Sequence, residues 1–412
     1  MVLYLSECSG KHTTLQSANY LAVTIRQADP EFDFRRAFTT KPVKSTKYPK
    51  TTRAPPSPKT GKPIIRNRHD WDKEKKKPRN LREQTPKYLS PFSLLSQMTR
   101  IMEDFPDVNA TISVLDRTAE YNDLVIVRMT DGKRNRYFRA QESKYIDELP
   151  EKKIIFIVHG LSVLGINHLP SMGHEPDFKK LLGYYVRFLS VFDIFLMPMG
   201  NPDGYAAVHA NTIWNKNMSP QEACIGVAID RNFDVAWNIS KKVSPCSPLF
   251  PGKSAFSETE SRAIRDVFHF HGHKIISYIH VHSGTYTDTV FKGDAVLYPK
   301  GFTAIQSDDD KYIDLKGDLD EAIRNASFQV LSVTVDTLHN WYGPISGSSV
   351  DYAATVYGIP YALEFVMQLY EGGDDSDTPM ETALNEVWSR IITTTFKSMY
   401  KSLRSNNNKK KK

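Results

Sequence analysis

The chain has 412 residues, 40% hydrophobic and 25% charged, with 54 Lys and Arg against 47 Asp and Glu. That length allows one large domain or two smaller ones with a sizeable core, and it excludes collagen-like, wholly disordered and disulfide-scaffold classes. No run of about 18 apolar residues occurs, so no membrane span is expected.

The opening residues, MVLYLSECSGKHTT, lack a basic stretch followed by an apolar one, so no signal peptide is visible, and residues 1–40 match no pattern. Residues 41–85 hold 15 Lys and Arg, 4 Asp and Glu and seven prolines. With few apolar residues to offset the entropy of ordering, this segment reads as a basic Pro-rich disordered linker. Contact with a polyanion such as a heparin-like glycan or nucleic acid is its functional alternative. Arg404 and Lys409 to Lys412 make residues 404–412 a basic tail. The body between them, residues 86–403, is acidic.

From Pro86 onward, helical and strand patterns alternate. Leu89–Asp104 has helical spacing in Phe92, Leu95, Met98 and Met102. Asp123–Met129, Lys153–Val158, Phe192–Met197, Lys274–Val281 and Tyr361–Leu369 read as buried strands, and 177–190, 257–271 and 318–338 as helices. Met380–Leu403 places Leu384, Val387, Trp388, Ile391, Phe396 and Met399 on one helical face. Alternation over residues 86–403 implies a single α/β domain with a largely buried sheet. His269, His271 and His273 fall at the end of a predicted helix, where cationic side chains suit the dipole; a surface metal site is the alternative.

Five strings occur in order: Asn201-Pro202-Asp203-Gly204-Tyr205; Cys224-Ile225-Gly226-Val227 with Arg231-Asn232-Phe233-Asp234; Gly252 to Glu258; Leu297-Tyr298-Pro299; and Ser346 to Asp351. On these strings, residues 88–403 resemble the zinc carboxypeptidases of the A/B type. The resemblance implies a mixed eight-stranded sheet sandwiched by helices, with an active site at strand ends; separately, the chain is expected to be a monomer. It also implies one zinc held by an H-x-x-E motif and a later histidine. Here the first two positions hold His159 and Ser162, and the later histidine is His282. A neutral hydroxyl in place of a carboxylate implies weak zinc binding. Both histidines also fit a reading as packed core residues. His280 shares a strand face with His282 and is expected to join a metal only if the backbone shifts.

The other positions that the resemblance assigns are altered as well. The general base falls on Val366, which accepts no proton, and Glu364 two residues earlier is placed to line a specificity pocket. The oxyanion arginine falls on Asn215, which brings no charge. The pair that clamps a peptide's terminal carboxylate reads Asp230-Arg231, and the aspartate repels that carboxylate or neutralises the arginine. The mobile tyrosine falls on Gly343, or on Tyr342 with a one-residue slip. Val350 falls in the terminal side-chain pocket.

Cys224 and Cys246 match a disulfide of the family and, with sequons at Asn109, Asn217, Asn238 and Asn325, favour a secreted protein; Cys8 is left unpaired. These losses lead to the expectation of a catalytically impaired carboxypeptidase-fold protein that binds peptide or protein C-termini or acts as a scaffold. The alternative is an active zinc metallocarboxypeptidase with rearranged ligands, and a third reading gives the function to the basic segments.

Overall fold

The computed structural model describes residues 89–132, 152–162, 175–208, 214–237, 243–283, 293–305, 310–326, 333–367 and 379–410. All of them lie in Arg79–Lys412, one of two units into which the chain divides. The expected linker 41–85 and Cys8 lie outside the described residues.

In chain order the elements are α1 (Leu94–Glu103, after a 3-10 turn at Pro91–Ser93), β1 (Val108–Arg117), β2 (Asp123–Asp131) and β3 (Lys153–His159). Next come α2 (Glu175–Val186), β4 (Phe192–Met197), α3 (Pro202–Val208), α4 (Thr259–His271), β5 (Ile275–His282) and β6 (Ala295–Tyr298). The last are α5 (Asp310–Ala326), β7 (Thr334–Thr337), α6 (Leu338–Tyr342), α7 (Ser349–Thr355), β8 (Tyr361–Val366) and α8 (Pro379–Lys410). The strands form one mixed eight-stranded sheet in the order β1-β2-β4-β3-β5-β8-β6-β7, as the resemblance implies.

The central strands β3, β5 and β8 run parallel and are covered on both faces, which is why they read as continuous apolar runs. One face packs Ile155, Ile157, Ile279, Leu363 and Phe365 against α1, α2, α5 and α8. The other packs Phe156, Val158, Tyr278, Ala362 and Val366 against α4, α6 and α7. In α8, Trp388 is fully buried, and its indole N–H donates to Asp294 Oδ2 at 2.6 Å, tying the helix to the start of β6.

Three expectations need correction. The helix predicted over 318–338 is α5, which ends at Ala326, followed by β7 and the start of α6. The run Val333 to Thr337 alternates buried and half-buried residues, a strand pattern that its apolar content disguises. In α1 the buried face is Leu94, Met98, Ile101 and Met102, while Phe92 is 80% exposed, because the α-helix begins two residues later than its spacing suggests. The terminal helix continues past residue 403 to Lys410. Among the described residues, no helix is long and apolar enough to cross a membrane.

Candidate functional site

Strand alternation puts His280 and His282 of β5 on one face, and the parallel ladder sets their neighbours on β8. His280 pairs with Glu364 and His282 with Val366. The two strands therefore bring His280, His282, Glu364 and Val366 together on the face of the sheet covered by α6 and α7. All four are buried.

Glu364 Oε1 lies 2.9 Å from His282 Nε2 and accepts the Tyr342 hydroxyl at 2.5 Å; that hydroxyl is also 3.5 Å from His282 Nε2. His282 Nδ1 faces the Ser283 carbonyl at 3.2 Å. The His280 and His282 rings lie 4.8 Å apart. Burial pushes the His282 pKa down, but the hydrogen bond and charge of Glu364 outweigh it and raise it overall. Burial likewise favours a protonated Glu364, yet the two histidines hold its pKa well below the usual carboxylate range.

Asp230 and Arg231 sit in a 3-10 turn, Ile229–Arg231, and both are buried. Arg231 Nη1 donates to Asp230 Oδ2 at 2.9 Å and to the Asp230 carbonyl at 2.5 Å. Asp230 Oδ1 accepts from the Ser349 amide at 2.9 Å and its hydroxyl at 2.5 Å. The loop that delivers Ser349 depends on Gly347. Its φ of +71° favours glycine, and a Cβ there would stand 2.2 Å from the Arg231 carbonyl oxygen.

The remaining candidates are spread around this cluster. His159 ends β3 on the face of Ile155 and Ile157, away from His280 and His282. Its ring packs edge-on against Phe178 and Tyr185, and its Nε2 is 3.1 Å from the Tyr185 hydroxyl. Burial lowers its pKa to about 3, so the imidazole is neutral. Ser162 is buried. Asn215 donates from Nδ2 to the Pro248 carbonyl at 3.3 Å. Val350 lies in the first turn of α7 and is buried in the apolar cluster that includes Val366. Cys224 and Cys246 form a disulfide with Cα atoms 5.1 Å apart, as the resemblance implies. Asn109 and Asn325 are exposed, but Asn217 is buried, with its amide on Glu258 and Glu260, which closes that sequon to a glycan in the folded chain.

A family model described as zinc carboxypeptidase matches residues 94–392. The chain belongs to the zinc carboxypeptidase family. Carboxypeptidase B of Helicoverpa zea is 28% identical over 309 residues, which cover 71% of this chain and 66% of that protein. Carboxypeptidase A4 of Mus musculus is 32% identical over 193 residues, covering 44% of this chain and 41% of that one. The chain thus spans 41 to 66% of the length of these curated relatives. The solved carboxypeptidase A of Helicoverpa armigera has a TM-score of 0.58 at 20% identity, covering 76% of this chain and 74% of that one, a likeness of fold.

A zinc carboxypeptidase implies a zinc ion, and the residues at the expected ligand positions fit one poorly. Ser162 supplies no carboxylate, and the His159 ring is turned toward Phe178 and Tyr185. Among the described residues, the group whose potential ligand atoms converge is instead His280, His282 and Glu364, all within 4.8 Å of one another. His280 stands there without any backbone shift, because the carboxylate comes from its ladder partner on β8. The sequence offers one signal for this set: two histidines and a glutamate inside strands whose other residues, Ser277 apart, are apolar or aromatic.

Proposed function

We propose that this member of the zinc carboxypeptidase family keeps the fold without the hydrolytic chemistry, and binds peptide or protein C-termini or serves as an interaction scaffold. The observation that carries the reading is Val366, fully buried directly opposite His282 on the ladder, where the resemblance assigns the general base. A valine takes no proton from water. Two neighbouring features support it. Arg231 is held by Asp230, so its charge is matched internally, and Asn215, at the oxyanion position, is neutral with its amide on a carbonyl. The Cys224–Cys246 bridge supports an oxidising, extracellular setting.

A second reading, an active metallocarboxypeptidase with rearranged ligands, is favoured by the convergence of His280, His282 and Glu364. Incubation of the full chain with a hippuryl-type substrate and excess zinc, with and without chelator, separates the two. Chelator-sensitive release of the C-terminal residue defeats the first reading. Peptide binding without cleavage supports it.

A further inference from the structure

We propose that His280, His282 and Glu364 form a zinc site that keeps the later histidine of the family resemblance, His282, and draws its other two ligands, His280 and Glu364, from one strand repeat before His282 and Val366. This goes beyond the proposed function, since a metal held here stands whether or not a peptide is cleaved.

The first argument is the state of the buried polar atoms. His280 and Glu364 have no exposed surface. Among the described residues, both ring nitrogens of His280 and Glu364 Oε2 lack a hydrogen-bond partner. The closest carboxylate oxygens to His280 Nδ1 are Glu364 Oε2 at 3.7 Å and Asp230 Oδ1 at 3.8 Å, beyond hydrogen-bond reach. Buried polar atoms are nearly always paired, so an imidazole and a carboxylate oxygen left unpaired side by side call for a ligand between them.

The second argument is the hydrogen-bond pattern of His282. It faces an acceptor at each ring nitrogen: the Ser283 carbonyl at Nδ1 and the Glu364 carboxylate at Nε2. A neutral imidazole has a single N–H. Doubly protonating the ring answers both acceptors but leaves His280 and Glu364 Oε2 unpaired. A cation bound by His282 Nε2, His280 and Glu364 engages all three side chains. It also keeps the Nδ1 proton on the Ser283 carbonyl, the outer-shell partner that metal-bound histidines ordinarily have.

The third argument is the donor set. Two imidazoles and one carboxylate suit zinc, with a fourth position left for water or another oxygen. Zinc–ligand bonds of about 2.0–2.2 Å place donors roughly 3.3–3.6 Å apart. Donor atoms within 4.8 Å need only small side-chain rotations to close on the ion. The half-buried Tyr342 hydroxyl, already on Glu364, caps the trio. Asp230 stands behind His280, fixed by Ser349. A metal there would clamp β5 to β8.

The test uses the full-length chain, stripped with chelator and then titrated with Zn²⁺, with Co²⁺ as a spectroscopic probe and Mg²⁺ as a control. The expected results are one zinc per chain, a visible Co²⁺ spectrum of a four- or five-coordinate site, and a raised melting temperature with zinc but not magnesium. His280→Asn and Glu364→Gln should each weaken zinc by at least about 100-fold, more than loss of an outer-shell partner costs. His159→Asn should retain it. Should His280→Asn fail to fold, Glu364→Gln and the wild-type Co²⁺ spectrum decide the matter. The proposal is overturned if the wild-type chain takes up no zinc. Uptake that survives both variants, as binding to His269, His271 and His273 would, also overturns it, as does uptake lost in His159→Asn but kept in His280→Asn.

Discussion

Arg231 Nη1 donates to the carboxylate of its own chain neighbour, Asp230, at 2.9 Å, in a turn where both side chains are buried. If a peptide's terminal carboxylate docks on Arg231, as proposed above, it would have to compete with that bond and also approach the Asp230 charge. Replacing Asp230 with Asn removes the charge and keeps an oxygen for Ser349. We expect Asp230→Asn to tighten binding of peptides with a free C-terminus by about tenfold or more, an increment typical of one charge-assisted hydrogen bond. Amidated peptides should show no such gain. Calorimetric titration of both peptide forms checks this, and equal affinities before and after the substitution would remove Arg231 from the binding surface.

The wild-type protein is expected not to hydrolyse C-terminal peptide bonds. A general base contributes about 10²- to 10⁴-fold, and oxyanion stabilisation about 10²- to 10³-fold per donor. Neither Val366 nor Asn215 supplies its share. Loaded with zinc, the double variant Asn215→Arg, Val366→Glu regains both missing groups and should show measurable turnover where the wild type shows none. Turnover by the wild type that disappears on chelation would sink the expectation.

The Cys224–Cys246 bridge spans 22 residues of sequence. Closing such a loop limits the unfolded ensemble and is worth about 3 kcal/mol. Cys246→Ser should therefore lower the melting temperature by several degrees, as should reduction of the wild type. An unchanged denaturation midpoint after reduction would show that the bridge contributes nothing to stability.

Glu260 is fully buried, and desolvation raises its pKa from 4.5 to about 8, although Asn217 hydrogen-bonds it. The folded state thus keeps a proton that the unfolded chain releases above about pH 4.5. This group favours folding most below that pH, and its contribution falls by about 1.4 kcal/mol per pH unit between roughly pH 4.5 and 8. Asp351, raised by burial to about 7, adds a slope of the same sign. Urea unfolding across this range should show a shallower decline in Glu260→Gln than in the wild type. Parallel curves would mean that Glu260 ionises normally.

The strands that the sequence makes plain are those buried on both faces, β3, β4, β5 and β8, together with β2. Their runs of Ile, Val and Phe suit little besides a strand covered on two sides. β1 is hard to see because its residues alternate between half-buried and exposed on an edge strand. β6 and β7 are four residues each, too short to carry a period. At the site, His282, Asp230, Arg231 and Tyr342 can be marked from chain motifs. Their grouping cannot, because it depends on the register of two strands more than 80 residues apart. That pairing turns Glu364 from a pocket residue into the partner of His280 and His282. The direction of His159 is equally hidden, since it follows from how far β3 extends before Gly160 turns the chain at a φ of +66°.

The long terminal helix has a consequence for biosynthesis. Trp388, Ile391, Phe396 and Met399 cover one face of a sheet whose strands begin near residue 108. A nascent chain halted before this helix emerges from the ribosome exposes the apolar side of β3, β5 and β8 to water. Such a sheet is open to aggregation for as long as translation and chain closure take. Folding of this protein is therefore a late event, and holdase chaperones that shield extended apolar strands should bind its nascent chain until about residue 399 is free.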